Sequence, residues 1–137
     1  RRRHTWPDRE TLLKGYRRKL PFRVWKDGFL EAYVAEGTKE TDKGFIKLCC
    51  DPLWESRVFA ACSHDVWRYI PRLQQPTLVL YGADSDTFLA PAVNRFKAKV
   101  PFATFRRFEE TSHFVPMERP EETADVILTF LKDHKII

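Results

Sequence analysis

The sequence predicts an α/β chain in two parts: a mostly helical segment over residues 1–72, then a strand–helix–strand–helix series over residues 73–137. Three observations carry this. Apolar residues recur at helical spacing through the first part, between Pro and Gly breaks. A compact apolar run of strand length, "PTLVLYG", opens the second part, and such runs suit a strand buried on both faces of a parallel sheet. Strands then alternate with helices, the order that parallel sheets with right-handed crossovers produce.

The elements follow in order. In "WPDRETLLKGYRRKLPF", Pro7 and Asp8 mark a helix start, Leu12, Leu13 and Tyr16 share a face, and Pro21 ends the run. "KDGFLEAYVAEG" predicts a second helix with an apolar stripe of Phe29, Leu30, Tyr33 and Val34, and Gly37 as its C-cap. "GFIKLCC" reads as a short strand. "DPLWESRVFAAC" opens on Asp-Pro and is expected to turn Leu53, Trp54, Val58 and Phe59 inward. "SHDVWRYI" predicts a short helix capped by Ser63. After the strand in "PTLVLYG" comes "APAVNRFKAKV", a helix with Val93, Phe96 and Val100 on one side. "ATFRRFEE" is a second strand. "PEETADVILTFLKDH" is a last helix, with Pro120 at its start and Val126, Ile127, Phe130 and Leu131 expected inward. Two strands make too small a sheet to stand alone, since they leave exposed edges and a bare face.

Composition narrows the function classes. An apolar fraction of 43%, with 11 Phe and 4 Trp, is enough to build a core and argues against disorder. No run of about 18 apolar residues is present, so no membrane span is expected. Arg1, Arg2, Arg3 and His4 lead into no apolar segment of signal-peptide type. The single methionine is Met117, and this predicts a piece of a longer protein. Cys49, Cys50 and Cys62 show no zinc or disulfide spacing, which points to reduced thiols and a cytoplasmic setting. Lys and Arg exceed Asp and Glu by 24 − 19 = 5. These cations fall on the polar sides of the helices without a nucleic-acid motif, so they read as a solvated face and no nucleic-acid partner is expected.

Chemistry concentrates in two loops. Ligands of parallel sheets gather outside the carboxyl ends of the strands. The first strand ends in "GADSDTF", which holds Asp84 and Asp86, and the second ends in "ETSHF", which holds His113. In a parallel pair both loops lie on one side of the sheet. An acid that orients a histidine is two thirds of a charge-relay triad. His4, His64 and His134 lack such a setting.

The stretches "PTLVLYGADSDTF" and "TSHFVPMERPEETADVILTFL" resemble the C-terminal half of an α/β-hydrolase, its last two sheet strands with the acid and histidine loops, and residues 1–72 resemble the helical cap inserted ahead of them. The resemblance implies that His113 is the general base and then the general acid. It implies an acid in the first loop as Gly-x-x-Asp or Gly-x-x-Ser-Asp. Gly82-Ala83-Asp84-Ser85-Asp86 fits the second form and favours Asp86, with Asp84 as the fallback and otherwise a turn residue. The separation, 113 − 86 = 27 residues, accommodates a helix and a strand. Glu118 and Arg119 read as structural residues at a helix start.

The nucleophile of the family sits in Gly-x-Ser-x-Gly. Gly15, Gly28, Gly37, Gly44 and Gly82 include no pair four apart, and Ser56, Ser63, Ser85 and Ser112 lie in no such elbow. The resemblance therefore implies that the serine and the oxyanion hole come from an N-terminal half, on the same or a separate chain, and that these 137 residues alone are inert. The cysteines read as packing residues. Of the aromatics Trp6, Trp25, Phe29, Trp54, Phe59 and Trp67, most are expected in the core and one or two over a substrate pocket. The implied reaction is hydrolysis of an ester or similar acyl bond in a small apolar substrate, without a cofactor. Epoxide hydrolases, C–C bond hydrolases and dehalogenases share the scaffold. The rival from another class is a non-catalytic binding protein, completing its sheet as an exchanged homo-oligomer.

Overall fold

The computed structural model describes residues 3–62 and 65–137. The chain divides into two compact units, Arg1–Ser63 and His64–Ile137. This division falls nine residues before the expected 72/73 boundary. The physical reason is local: Trp67 belongs with the second unit, where the Arg95 guanidinium lies 4.5 Å from its ring centre.

The first unit holds strand β1 (Thr5–Trp6), helices α1 (Arg9–Arg17), α2 (Leu20–Arg23) and α3 (Phe29–Glu36), strands β2 (Thr38–Glu40) and β3 (Ile46–Leu48), and helix α4 (Pro52–Ala60). Helices α1 and α4 begin where the sequence places them. Asp8 caps α1 by accepting from the Thr11 amide at 2.6 Å, and Asp51 caps α4 by accepting from the Leu53 amide at 2.8 Å. Pro21 does not end a helix; it sits in the first turn of α2, where a missing N–H costs nothing. Three short strands form an antiparallel sheet of order β1-β3-β2, of which only β3 was legible in the sequence. Leu12, Tyr16, Leu30, Val34, Trp6, Trp25, Ile46 and Leu48 are the buried apolar residues. Aromatic rings knit this core together: Tyr16 stacks on Phe22 at 4.7 Å, and Phe22 meets Trp25 edge-on at 5.0 Å.

Helix α4 departs from expectation. Leu53, Trp54, Val58 and Phe59 are 61%, 62%, 56% and 72% exposed. Its apolar stripe faces away from the core of its own unit, so periodicity found the stripe but could not say what it covers. With His4 this helix borders a cleft of about 710 Å³, where Pro52, Leu53, Ser56 and Phe59 form one wall.

The second unit holds α5 (Val66–Tyr69), a 3-10 turn (Ile70–Arg72), β4 (Leu78–Gly82), α6 (Ala90–Lys99), β5 (Thr104–Phe108), α7 (Val115–Glu118) and α8 (Pro120–Asp133). The expected Ser63 cap lies outside the described residues. β4 and β5 pair in parallel, with Leu78 opposite Thr104 and Gly82 opposite Phe108. Val93 and Val100 are buried on the inner side of α6, with Phe96 half-buried and edge-on to Phe105 at 5.6 Å. The expected burial of β4 on both faces is not met, since Leu78 to Tyr81 are only half-buried. Ile127 of α8 is likewise exposed, while Val126, Phe130 and Leu131 are half-buried. Two strands cannot cover both faces and edges of a sheet. Among the described residues, no helix is long and apolar enough to cross a membrane.

The amide hydrogen bond from Thr11 holds the Asp8 carboxyl below its ordinary range. A carboxyl whose value is depressed by folding adds stability above its unfolded value, lost as pH falls. Asp8→Ala is therefore expected to lower the melting temperature at pH 7, with a narrower gap from wild type at pH 3. Thermal unfolding followed by circular dichroism at both pH values checks this.

Candidate functional site

The parallel pairing of β4 and β5 brings their following loops side by side. Backbone bonds lace them together: the Ala83 amide donates to the Phe108 carbonyl at 2.8 Å and the Asp84 amide to the Thr111 carbonyl at 3.0 Å. Gly82 permits this approach, because a Cβ there would overlap the carbonyl oxygens of Thr111 and Ser112. Glu110 turns the chain between β5 and the histidine loop with φ 50°, a left-handed conformation.

The histidine loop has a second anchor. Glu118, 8% exposed, accepts from the Ser112 amide at 3.2 and 3.1 Å and bonds the Ser112 hydroxyl. It does so from the end of α7, a helix absent from the sequence reading, rather than from the start of α8. Its role as a structural residue thus has a specific form: it clamps the residue immediately before His113.

The expected histidine sits in this loop, exposed, with its ring edge-on to Phe114 at 5.7 Å. Its Nδ1 lies 3.3 Å from Ser85 Oγ. Asp86, one residue on, does not share a hydrogen bond or ion pair with His113. Its Oδ1 accepts from the Thr87 hydroxyl at 2.9 Å, and both Asp84 and Asp86 are exposed. Ser85 is the member of "GADSDTF" that turns inward, 8% exposed, and its Oγ also accepts from the Thr87 amide at 3.3 Å and the Phe88 amide at 3.0 Å. Those two amides close a serine turn that aims Oγ at the neighbouring loop. Sequence reasoning passed over Ser85 as a candidate. The available signal was its position three residues after Gly82, where the Gly-x-x-Asp form would put the acid.

Cys49, Cys50 and Cys62 are exposed free thiols rather than packing residues, and each sulfur lies near a backbone carbonyl. Among the described residues, no three His, Cys, Asp or Glu side chains gather into a metal-binding group.

Comparison with solved structures bears on the fold. E-2-(acetamidomethylene)succinate hydrolase superposes with a TM-score of 0.84 at 16% identity, over 93% of this chain and 46% of that one. The peroxisomal α/β-hydrolase Lpx1 of Saccharomyces cerevisiae gives 0.79 at 12% identity, over 98% and 36%. The thioesterase domain from the curacin biosynthetic pathway gives 0.73 at 18% identity, over 93% and 44%.

The chain has the fold of the C-terminal part of an α/β-hydrolase. A mostly helical segment precedes its two parallel strands, and the chain spans less than half the length of each of these proteins. No protein-family model and no curated protein sequence matches it. In this hydrolase fold the two laced loops occupy the carboxyl ends of neighbouring strands, where a ligand site belongs.

The lacing makes a prediction. Gly82→Ala should destabilise the second unit by about 2 kcal/mol or more, because rigid backbone rather than a flexible side chain meets the new methyl. Urea unfolding of the variant beside wild type measures the loss.

Proposed function

We propose that this chain supplies the proton-transfer half of a hydrolase acting on an ester or similar acyl bond of a small apolar substrate. The observation that carries the reading is His113, exposed at the carboxyl end of a parallel strand pair, in a loop anchored by Glu118 and by backbone bonds to the neighbouring loop. A serine nucleophile and oxyanion hole come from residues outside this chain, in an N-terminal half on the same or a separate chain. The fractions of the solved hydrolases that this chain spans, 46%, 44% and 36%, support that division. A cytoplasmic setting remains part of the proposal.

In this reaction His113 takes the proton of the attacking serine hydroxyl as its oxygen forms a bond to the acyl carbon. It then returns the proton to the leaving oxygen as the acyl–oxygen bond breaks. Water repeats the sequence to release the acid. Asp86 steadies the imidazolium during turnover, for which its carboxylate leaves the Thr87 hydroxyl and turns toward the ring. Asp84 keeps the turn. The first unit, residues 1–63, forms the cap.

With p-nitrophenyl esters as substrates for the full-length protein, His113→Ala should lower kcat at least about 100-fold, the scale of a positioned acid–base group. Asp86→Asn should lower it about tenfold or more, and Asp84→Asn less than about twofold. The 137-residue chain by itself should show no turnover. Full turnover by the His113→Ala protein, or by the isolated chain, ends the proposal.

A further inference from the structure

We propose that Ser85 is the positioning residue of His113, and that its hydroxyl donates to Nδ1 and holds the ring proton on Nε2. Donors and acceptors around Ser85 Oγ fix the direction of this bond. A serine hydroxyl has one proton and two lone pairs. At Ser85 the amides of Thr87 and Phe88 occupy the lone pairs, at 3.3 and 3.0 Å. What remains is the O–H, and the ring nitrogen 3.3 Å away is its partner. An N–H at Nδ1 would instead point at an oxygen already accepting twice. The neutral ring therefore keeps its lone pair on Nδ1 and its proton on Nε2. Burial of Ser85 limits the water that could take the hydroxyl elsewhere.

The consequence deepens the proposed function and rests on its assignment of proton transfer to His113. A base that acts through Nε2 needs that nitrogen bare and a proton on Nδ1. The resting tautomer is the opposite one. His113 at rest presents a donor at Nε2, suited to an acceptor atom of a bound ligand. It becomes a base only when Ser85 turns its proton away, Nδ1 takes a proton from solvent and Nε2 gives its own back to solvent. Asp86, bonded to Thr87 at rest, does not set the resting tautomer.

The test uses full-length protein labelled with 15N-histidine, held at a pH where the ring is neutral. Long-range proton–nitrogen spectra report which ring nitrogen carries the proton. The His113 signals are assigned by their loss in His113→Gln. Wild type should favour Nε2–H over Nδ1–H by about fivefold more than a free peptide of residues 111–116, the effect of one hydrogen bond. Ser85→Ala should fall back to the peptide ratio, Ser85→Thr should retain the wild-type ratio, and Asp86→Asn should leave it unchanged. A proton on Nδ1 in wild type, or a wild-type ratio equal to the peptide's, overturns the proposal even if Ser85→Ala fails to fold. So does a Ser85→Ala protein that keeps the wild-type ratio. The measurement needs no substrate, so loss of the hydrolase reading through His113→Ala kinetics would leave this result standing.

Discussion

The close approach of two loop backbones at Gly82 is the constraint on which the candidate site depends. The Ala83 and Asp84 amides reach the carbonyls of Phe108 and Thr111 only because nothing projects from Gly82. A side chain there would push the histidine loop away from the loop that carries Ser85. Paired strands supply the alignment, since β4 and β5 end level with each other at Gly82 and Phe108. The sheet sets the direction of both loops, and the glycine sets their separation.

Orientation of His113 is a second matter, handled by groups that are individually ordinary. Glu118 clamps Ser112 from one side of the ring's residue, and Ser85 meets Nδ1 from the other loop. Both anchors are well buried while the imidazole itself is exposed. Buried polar groups keep their geometry because leaving them unpaired costs about 1–3 kcal/mol. An exposed ring held by buried partners can meet a ligand without losing its setting.

Several apolar surfaces are left uncovered. The strand run "LVLY" is apolar enough for a strand covered on both faces, yet those residues are half-buried. Helix α4 carries a full apolar stripe that its own unit does not cover. Hydrophobic periodicity records what a surface is suited to bury against, whether or not that partner lies in the same chain. Both features agree with the fraction of the solved hydrolases that the chain spans.

Much of this was legible in the residues. Asp8 and Asp51 marked helix starts, "PTLVLYG" and "ATFRRFEE" marked the parallel strands, and "ETSHF" marked the loop of His113, because caps, turns and periodicities act over a few residues. The strands β1 and β2, two and three residues long, left no pattern long enough to detect. The choice between Ser85 and Asp86 was also beyond the sequence. The two are adjacent, the carboxylate is the better chemical candidate, and the Gly-x-x-Asp and Gly-x-x-Ser-Asp spacings point to different positions. Only the folded turn decides, since the amides of Thr87 and Phe88 converge on Ser85 and turn it inward, while Asp86 is left facing its neighbour's hydroxyl. Sequence determined where the strands end and which loops follow them, because an element and its terminus are written in a few consecutive residues. Tertiary structure decided which atom reaches the ring, because a rotation of one residue in a turn reverses the direction of its side chain.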